Sequence, residues 1–311
     1  WMLAAYMGRP ETPALWERWR RVADEYDALL LGEVYLDDPF EVATYTTDER
    51  LHRAFYLPLQ HTTWNRDEIA TALATAVAAG RGRFAWPQSS HDDPRAGSRF
   101  GGGDLGARRA LAFFHLLAAL PGTPVMLAGD ELGLDNGEVP AGALEDPVSV
   151  RNTDRSDGRD GSRTPMPWDP DRPEWGFTTG TPWLPVGANR TPGQSVAAQR
   201  DDPASPLHRM RALLAARATL TTMLATNEIT WLDLGDDVIG LRRGDVVAAC
   251  NFGATTTRDL AVANGRRTRH TATGRAGAPT ADLVAASSAA ATLDGTSLTL
   301  GSDTTALVRI H

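Results

Sequence analysis

The chain has 311 residues, more than a single hydrophobic core usually organises, so we expect one large domain and a smaller one. Its net charge of −8 argues against a nucleic-acid partner, because phosphate binding needs clustered Lys and Arg. The one cysteine, Cys250, excludes an internal disulfide framework and Cys-rich metal sites. No apolar run reaches the roughly 18 residues that span a bilayer, so we expect no membrane partner.

The first two thirds of the chain alternate helical and strand patterns. Thr12-Pro13 marks a helix start, and apolar residues then recur at helical spacing as far as Tyr26. Strand patterns cover residues 29–34, 54–57, 83–86 and 124–128, and further helical patterns cover about 66–79 and 105–120. Strands separated by helices of this length predict βα units and a parallel sheet, so the fold class is α/β.

The last third of the chain has a different residue pattern. Short β-rich runs separated by turn residues predict a small antiparallel β-sandwich. They cover residues 229–234, 238–242, 246–252, 292–300 and 304–310, and we interpret 265–290 as loops and weak strands without functional weight. We therefore divide the chain into a domain of residues 1–224 and a domain of residues 225–311.

Acidic residues follow three of the predicted parallel strands. Glu33 ends the first strand, His91 and Asp92 follow the third, and Asp130-Glu131 follows the fourth. Each of these alone could be an ordinary cap or surface turn. Together they favour a functional site, because polar groups at the carboxyl ends of barrel strands face one shared active-site mouth.

Four motifs in the same order resemble the α-amylase superfamily, and specifically its α-glucosidase and oligo-1,6-glucosidase branch. They are Leu31-Gly32-Glu33, then Ser90-His91-Asp92-Asp93-Pro94-Arg95, then Gly122-Thr123-Pro124 leading to Gly129-Asp130-Glu131-Leu132-Gly133, and finally Arg163-Thr164-Pro165-Met166-Pro167-Trp168. The resemblance covers essentially the whole chain. It implies a retaining α-glucosidase that acts on short α-glucosides such as maltose, isomalto-oligosaccharides or sucrose.

The resemblance also implies roles for four residues. Glu33 is expected to be the catalytic acid and base, and Asp92 to be the catalytic carboxylate that grips sugar hydroxyls as positive charge builds on the ring. His91 is expected to bind the same sugar, and Arg95 to bind substrate from the pocket wall. Ser90 departs from the Asn that is usual in the family, which we expect to cause only a local adjustment.

The nucleophilic Asp of the family has no counterpart in this chain. It belongs to a Gly-Phe-Arg-x-Asp-like motif after the fourth barrel strand, and no such motif occurs here. We therefore predict the C-terminal half of a (β/α)8 TIM barrel, holding strands five to eight, with its missing N-terminal half as a partner. The chain begins at Trp1 in mid-pattern, so we expect the natural amino terminus upstream and the chain alone to be inactive.

In the loop after the last parallel strand, four arginines and three aspartates interleave, namely Arg151, Arg155, Arg159 and Arg163 with Asp154, Asp157 and Asp160. This pattern favours ion pairs that order the loop. A calcium site is conceivable from the same acids, but their spacing does not match an EF-hand loop, so we expect no metal and no cofactor.

Two alternative functions stay open from the sequence. A trehalose or isomaltulose synthase would share the same acids and differ in how well water is kept from the intermediate. A non-catalytic relative would keep the barrel and bind carbohydrate without reaction. The free thiol and a small-oligosaccharide substrate suggest a cytoplasmic protein.

Overall fold

The computed structural model describes residues 9–151, 158–263 and 280–311. Its first part contains four strands that pair in parallel in the order β1-β2-β3-β4, as the βα pattern predicts. They are β1 Leu31–Glu33, β2 Arg53–Phe55, β3 Phe84–Pro87 and β4 Thr123–Val125. The register sets Glu33 beside Phe55 and Pro87 beside Val125, so the carboxyl ends of the strands lie along one edge.

Helices connect these strands and continue into the second part of the chain. They are α1 Thr12–Glu25, α2 Pro39–Ala43, α3 Arg66–Gly80, α4 Ala96–Arg99, α5 Gly103–Ala119, α6 Pro147–Arg151, α7 Val196–Asp201, α8 Pro206–Thr219, α9 Thr221–Leu224 and α10 Leu260–Ala263. Asn65 is the N-cap of α3, because its side chain accepts hydrogen bonds from the backbone N–H groups of Asp67 and Glu68. The 3-10 turns used below are Leu57–His61, Asp130–Leu132 and Arg159–Arg163.

Eight antiparallel strands form two further sheets. They are β5 Thr230–Leu232, β6 Val238–Arg243, β7 Val246–Asn251, β8 Thr256–Asp259, β9 Ala281–Ala286, β10 Ala291–Asp294, β11 Ser297–Leu300 and β12 Thr304–Ile310. The order is β5-β6-β7-β12-β9 in one sheet and β10-β11-β8 in the other. The proposed domain boundary after residue 224 falls between α9 and β5.

The sequence predicts one of these strands only as a weak strand and another not at all. The segment that contains β9 was interpreted as loops and weak strands, yet β9 pairs with β12 along the five-stranded sheet. Strand β8 had no prediction at all, because its Thr-Thr-Arg-Asp sequence carries no apolar alternation. Both are strands because a neighbouring strand supplies the hydrogen bonds. Residues 265–279 of the weak-strand prediction lie outside the described residues.

The three central strands of the five-stranded sheet, β6, β7 and β12, are buried on both faces. Along β7, Ala248 and Cys250 pack with the helices of the first part, whereas Val247 and Ala249 pack toward the three-stranded sheet. This alternation follows from the period of two along a strand. Cys250 is therefore a core residue, and burial raises the pKa of its thiol to about 12.

A buried ion pair ties the antiparallel sheet to the helices. Asp303, between β11 and β12, accepts Trp64 Nε1 at 2.7 Å and Arg109 Nε at 3.0 Å. The Trp64 ring also stacks on Phe252, with ring centroids 4.3 Å apart. The two parts of the molecule thus share polar as well as apolar contacts.

The outer strands of the parallel sheet have open edges. Within residues 9–151, 158–263 and 280–311, β1 pairs only with β2 and β4 only with β3. Large apolar side chains are exposed beside β1, namely Leu15, Trp19, Val22, Leu29 and Leu31. Beside β4, Met126, Leu127, Met210 and Leu214 line an open groove. Among the described helices, none is long and apolar enough to cross a membrane.

We predict that Asp303→Ala lowers the free energy of unfolding by about 2–3 kcal/mol, because it leaves the Trp64 and Arg109 donors unpaired in a desolvated place. Urea unfolding followed by Trp fluorescence measures the change. Asp294→Ala, which removes an exposed aspartate of β10, is the control and should change stability little. Equal stability of the two variants would contradict the role of the ion pair.

A second prediction concerns His115, which is fully buried in α5 with Nδ1 donating to the Leu111 carbonyl and Nε2 unpaired. Burial lowers the pKa of His115 from 6.5 to about 4. The unfolded chain then binds the extra proton first, so stability is lost as the pH falls from about 6.5 toward 4. We expect native protein to lose roughly 2–3 kcal/mol between about pH 7 and pH 4.5 through this group.

His115→Leu should remove that part of the acid sensitivity, measured by urea unfolding at the two pH values. All other titrating groups are common to both proteins. An unchanged pH dependence in the variant would show that His115 contributes none of it.

Candidate active site

A cleft of about 180 Å³ lies at the carboxyl ends of the parallel strands. Its lining comes from all four strand ends: Glu33 from β1, Phe55 and Leu57 from β2, Pro87 and His91 from β3, and Val125 and Met126 from β4, with Gln60 and Ser90 among the others. The structure therefore brings Glu33 and His91, two of the predicted site residues, into one cavity. Most of the remaining wall is apolar.

Glu33 faces this cleft because of the alternation along β1. Gly32 points the other way, where an added Cβ would lie 2.3 Å from Leu51 Cδ1, so a larger residue there would require the buried Leu51 side chain to shift. Glu33 shares its face with Leu31, and both side chains are exposed. A carboxyl held on a short strand, with its head in an open cleft, can donate a proton to a bound molecule and take one back.

Asp92 follows the cleft residue His91 in the chain, does not itself line the cleft, and is held by two arginines. Its Oδ1 accepts Arg163 Nη2 at 2.7 Å and Arg159 Nη1 at 3.1 Å, and His91 Nε2 lies 3.5 Å from the same oxygen. Arg163 Nε also donates to the His91 carbonyl at 2.8 Å. The turn Arg159–Arg163 therefore clamps both residues of the His-Asp pair.

Ser90 occupies the position where the family that this chain resembles usually has Asn, and its hydrogen bonds are to residues two and three positions later. Its hydroxyl accepts the backbone N–H groups of Asp92 and Asp93, each at 3.2 Å, and bonds to the Asp93 carboxylate. The small side chain thus caps the turn that carries Asp92.

Arg95 lies inside the protein and is only 4% exposed. Its two terminal nitrogens donate to the carbonyls of Ala128 at 2.9 Å and Ser162 at 2.8 Å, and Nη1 is 4.0 Å from Asp130 Oδ1. Burial lowers the pKa of Arg95 and raises that of Asp130. These contacts join the loop after β4 to the Arg159–Arg163 turn, and Arg95 does not line the cleft.

Two arginines of the loop have carboxylate partners among the described residues. Arg159 and Arg163 do pair with carboxylates, but with Asp146 and Asp92, which lie outside the interleaved motif. Asp160 instead accepts backbone N–H groups of residues 145 and 146. Residues 154, 155 and 157 of that prediction lie outside the described residues.

Gln60 was missed by the sequence reasoning. It lies in the turn Leu57–His61 after β2, is fully buried, and lines the cleft, yet neither atom of its amide has a hydrogen-bond partner in the described structure. A buried amide without partners is costly unless another molecule satisfies it. The one available signal was a polar residue shortly after a strand.

No group of three or more His, Cys, Asp or Glu in the described part of the chain is arranged to hold a metal ion. The expectation of a site without metal or cofactor stays a prediction.

Comparison with known proteins identifies the family to which this chain is similar. A model described as alpha amylase, catalytic domain, matches residues 3–226. A "Probable alpha-glucosidase" of Rhizobium meliloti is 35% identical over 256 residues, which is 78% of this chain and 45% of that protein. An oligo-1,6-glucosidase of Parageobacillus thermoglucosidasius is 29% identical over 68% of this chain and 44% of its own length.

Among solved structures, the alpha-glucosyl transfer enzyme XgtA superposes with a TM-score of 0.78 at 31% identity. The match covers 97% of this chain and 55% of XgtA. The chain thus spans about half the length of the relatives that it matches.

We predict that Arg95→Lys lowers the free energy of unfolding by about 2 kcal/mol or more, because one ammonium cannot replace two divergent guanidinium bonds. Thermal and urea unfolding measure the loss. Arg172→Lys, in an exposed pair with Asp169, is the control. Unchanged stability together with weakened sugar binding would instead support the substrate contact expected for Arg95 from the sequence.

Proposed function

Because the chain belongs to the alpha-amylase family, we propose that it is part of a retaining α-glucosidase that hydrolyses short α-glucosides. The observation that carries this proposal is the shared cleft of Glu33 and His91, with the Asp92 carboxylate 3.5 Å from His91 Nε2. The relatives named α-glucosidase and oligo-1,6-glucosidase support the substrate class.

In the proposed reaction Glu33 protonates the departing glycosidic oxygen, and the same carboxylate later deprotonates the attacking water. The apolar wall formed by Phe55, Leu57 and Val125 suits this role, since it excludes water from the reacting bond. The covalent glucosyl intermediate forms on an Asp that this chain does not contribute.

Asp92 and His91 bind hydroxyls of the glucosyl ring. The carboxylate of Asp92 strengthens these bonds as the ring gains positive charge, which lowers the barrier selectively. Arg95 acts as a positioning residue in this scheme, because its bonds to Ala128 and Ser162 hold the strand end against the turn that grips Asp92.

The chain acts as the C-terminal half of a (β/α)8 barrel, with the antiparallel sheets of residues 225–311 as a second domain. The open edges of β1 and β4, with exposed apolar residues beside them, support a partner half that supplies the other strands and the nucleophile. The chain alone is inactive in this proposal. A cytoplasmic location rests only on the free thiol of Cys250 and the small substrate.

Glucosyl transfer is the second candidate. It is favoured by the 31% identity to XgtA, which is named as an alpha-glucosyl transfer enzyme. Transfer would use the same Glu33 and Asp92 and differ only in whether water or a sugar hydroxyl attacks the intermediate. The ratio of glucose to transfer products at high substrate concentration separates the two.

The test is hydrolysis of p-nitrophenyl α-glucoside by the 311-residue chain alone and by the chain with an amino-terminal half-barrel fused ahead of Trp1. We expect no activity from the chain alone and activity from the fusion. Glu33→Gln should then lower kcat by about 10²- to 10⁴-fold, since it removes general acid and base catalysis. Glu41→Gln, an exposed acid on α2, is the control.

Two results would overturn parts of this proposal. Activity of the chain alone would refute the missing nucleophile and direct attention to Asp130. A fusion that folds and binds sugar without hydrolysing or transferring it would support the non-catalytic carbohydrate-binding alternative.

A further inference from the structure

Asp146 is a buried carboxylate that binds the guanidinium group of Arg159. Its side chain has no solvent exposure, and it accepts Arg159 Nε at 2.9 Å, Arg159 Nη2 at 2.8 Å and the Arg159 backbone N–H at 2.8 Å. The Val148 N–H adds a fourth bond at 3.1 Å. The paired hydrogen bonds from Arg159 keep the pKa of Asp146 well below its usual range.

The remaining terminal nitrogen of Arg159 is directed to the proposed site. Once Nε and Nη2 are bound to Asp146, Nη1 reaches Asp92 Oδ1 at 3.1 Å. A guanidinium is planar, so fixing one side of it fixes the direction of the other. Asp146, Arg159 and Asp92 therefore form one continuous chain of contacts.

Asp160 fixes the backbone of this anchor. Its two carboxylate oxygens accept the Asp146 N–H at 3.1 and 3.0 Å and the Glu145 N–H at 2.9 Å. Arg163 also reaches Asp92, but among the described residues its other bond goes to the His91 carbonyl and not to a second carboxylate. Of the two arginines that bind Asp92, Arg159 is thus the one that also binds a buried carboxylate in the described part of the chain.

We propose that Asp146 is a positioning residue for the reaction, acting through Arg159 to hold the Asp92 carboxylate at the cleft. The inference rests on the proposed function, because Asp92 matters only if a glucosyl ring is bound there. Without Asp146, Arg159 regains the freedom of a long flexible side chain and no longer orients Asp92. Catalysis is sensitive to displacements of about 1 Å at such a group.

The activity test uses the fusion of this chain with the amino-terminal half-barrel. Asp146→Asn should lower kcat/KM by about 100-fold, the size of effect that misplacement of a site residue produces. The control is Asp169→Asn, which removes a carboxylate from another arginine pair of the same loop region and touches neither Arg159 nor Asp92. It should retain kcat/KM within about twofold.

A purely structural role for Asp146 predicts a different result in an Asp92→Ala background. If Asp146 acts through Asp92, Asp146→Asn costs little more once Asp92 is gone, since the two effects share one pathway. Equal fold losses in both backgrounds would overturn the proposal.

A second measurement uses the 311-residue chain by itself and needs no activity. In the native chain the Arg159 Nε–H signal should exchange slowly with water. Asp146→Asn should abolish that protection and shift the Asp92 Cγ resonance, whereas Asp169→Asn should do neither. An unaffected Arg159 signal would overturn the proposal, while an inactive fusion with these shifts intact would refute only the proposed function.

Discussion

Burial of the last ten residues of helix α5 on every side is the constraint on which the rest of the structure depends. Residues Ala110–Ala119 are buried between the parallel sheet and the five-stranded antiparallel sheet. Each fully buried Leu or Phe contributes about 1.5–3 kcal/mol, so this one helix supplies much of the core. The carbonyls near its end are satisfied by arginines from the second part of the chain, Arg217 on Ala118 and Arg243 on Leu120.

The same packing explains how distant segments meet at the cleft. Because α5 holds β3 and β4 beside each other, the loops after these strands are brought together, and Arg95 joins them through the carbonyls of Ala128 and Ser162. Gly106 in α5 is part of this arrangement, since a Cβ there would lie 1.9 Å from the Gly97 carbonyl. The close approach positions α4 and the His91-Asp92 turn ahead of it.

Charge compensation at Asp92 depends in turn on those loops. The Asp92 carboxylate meets two guanidinium groups from a turn about 70 residues later in the chain, at 2.7 and 3.1 Å. One of these arginines is itself bound to the buried Asp146. A site built from an acid, its cations and a buried counter-acid holds its geometry without substrate, which suits preorganised binding of a ring that gains positive charge.

The sequence by itself determined the βα pattern, the three strand ends that carry acids, and the family, because period and motif are local properties. It anticipated Glu33 and His91 at one cleft, since parallel strand ends share an edge. Only the tertiary structure decided that Arg95 is buried, that Asp146 binds Arg159, and that Gln60 lines the cleft. It also decided that β8 and β9 are strands. These outcomes depend on contacts between residues far apart in the chain, and local sequence carries no record of which distant partner completes a hydrogen bond.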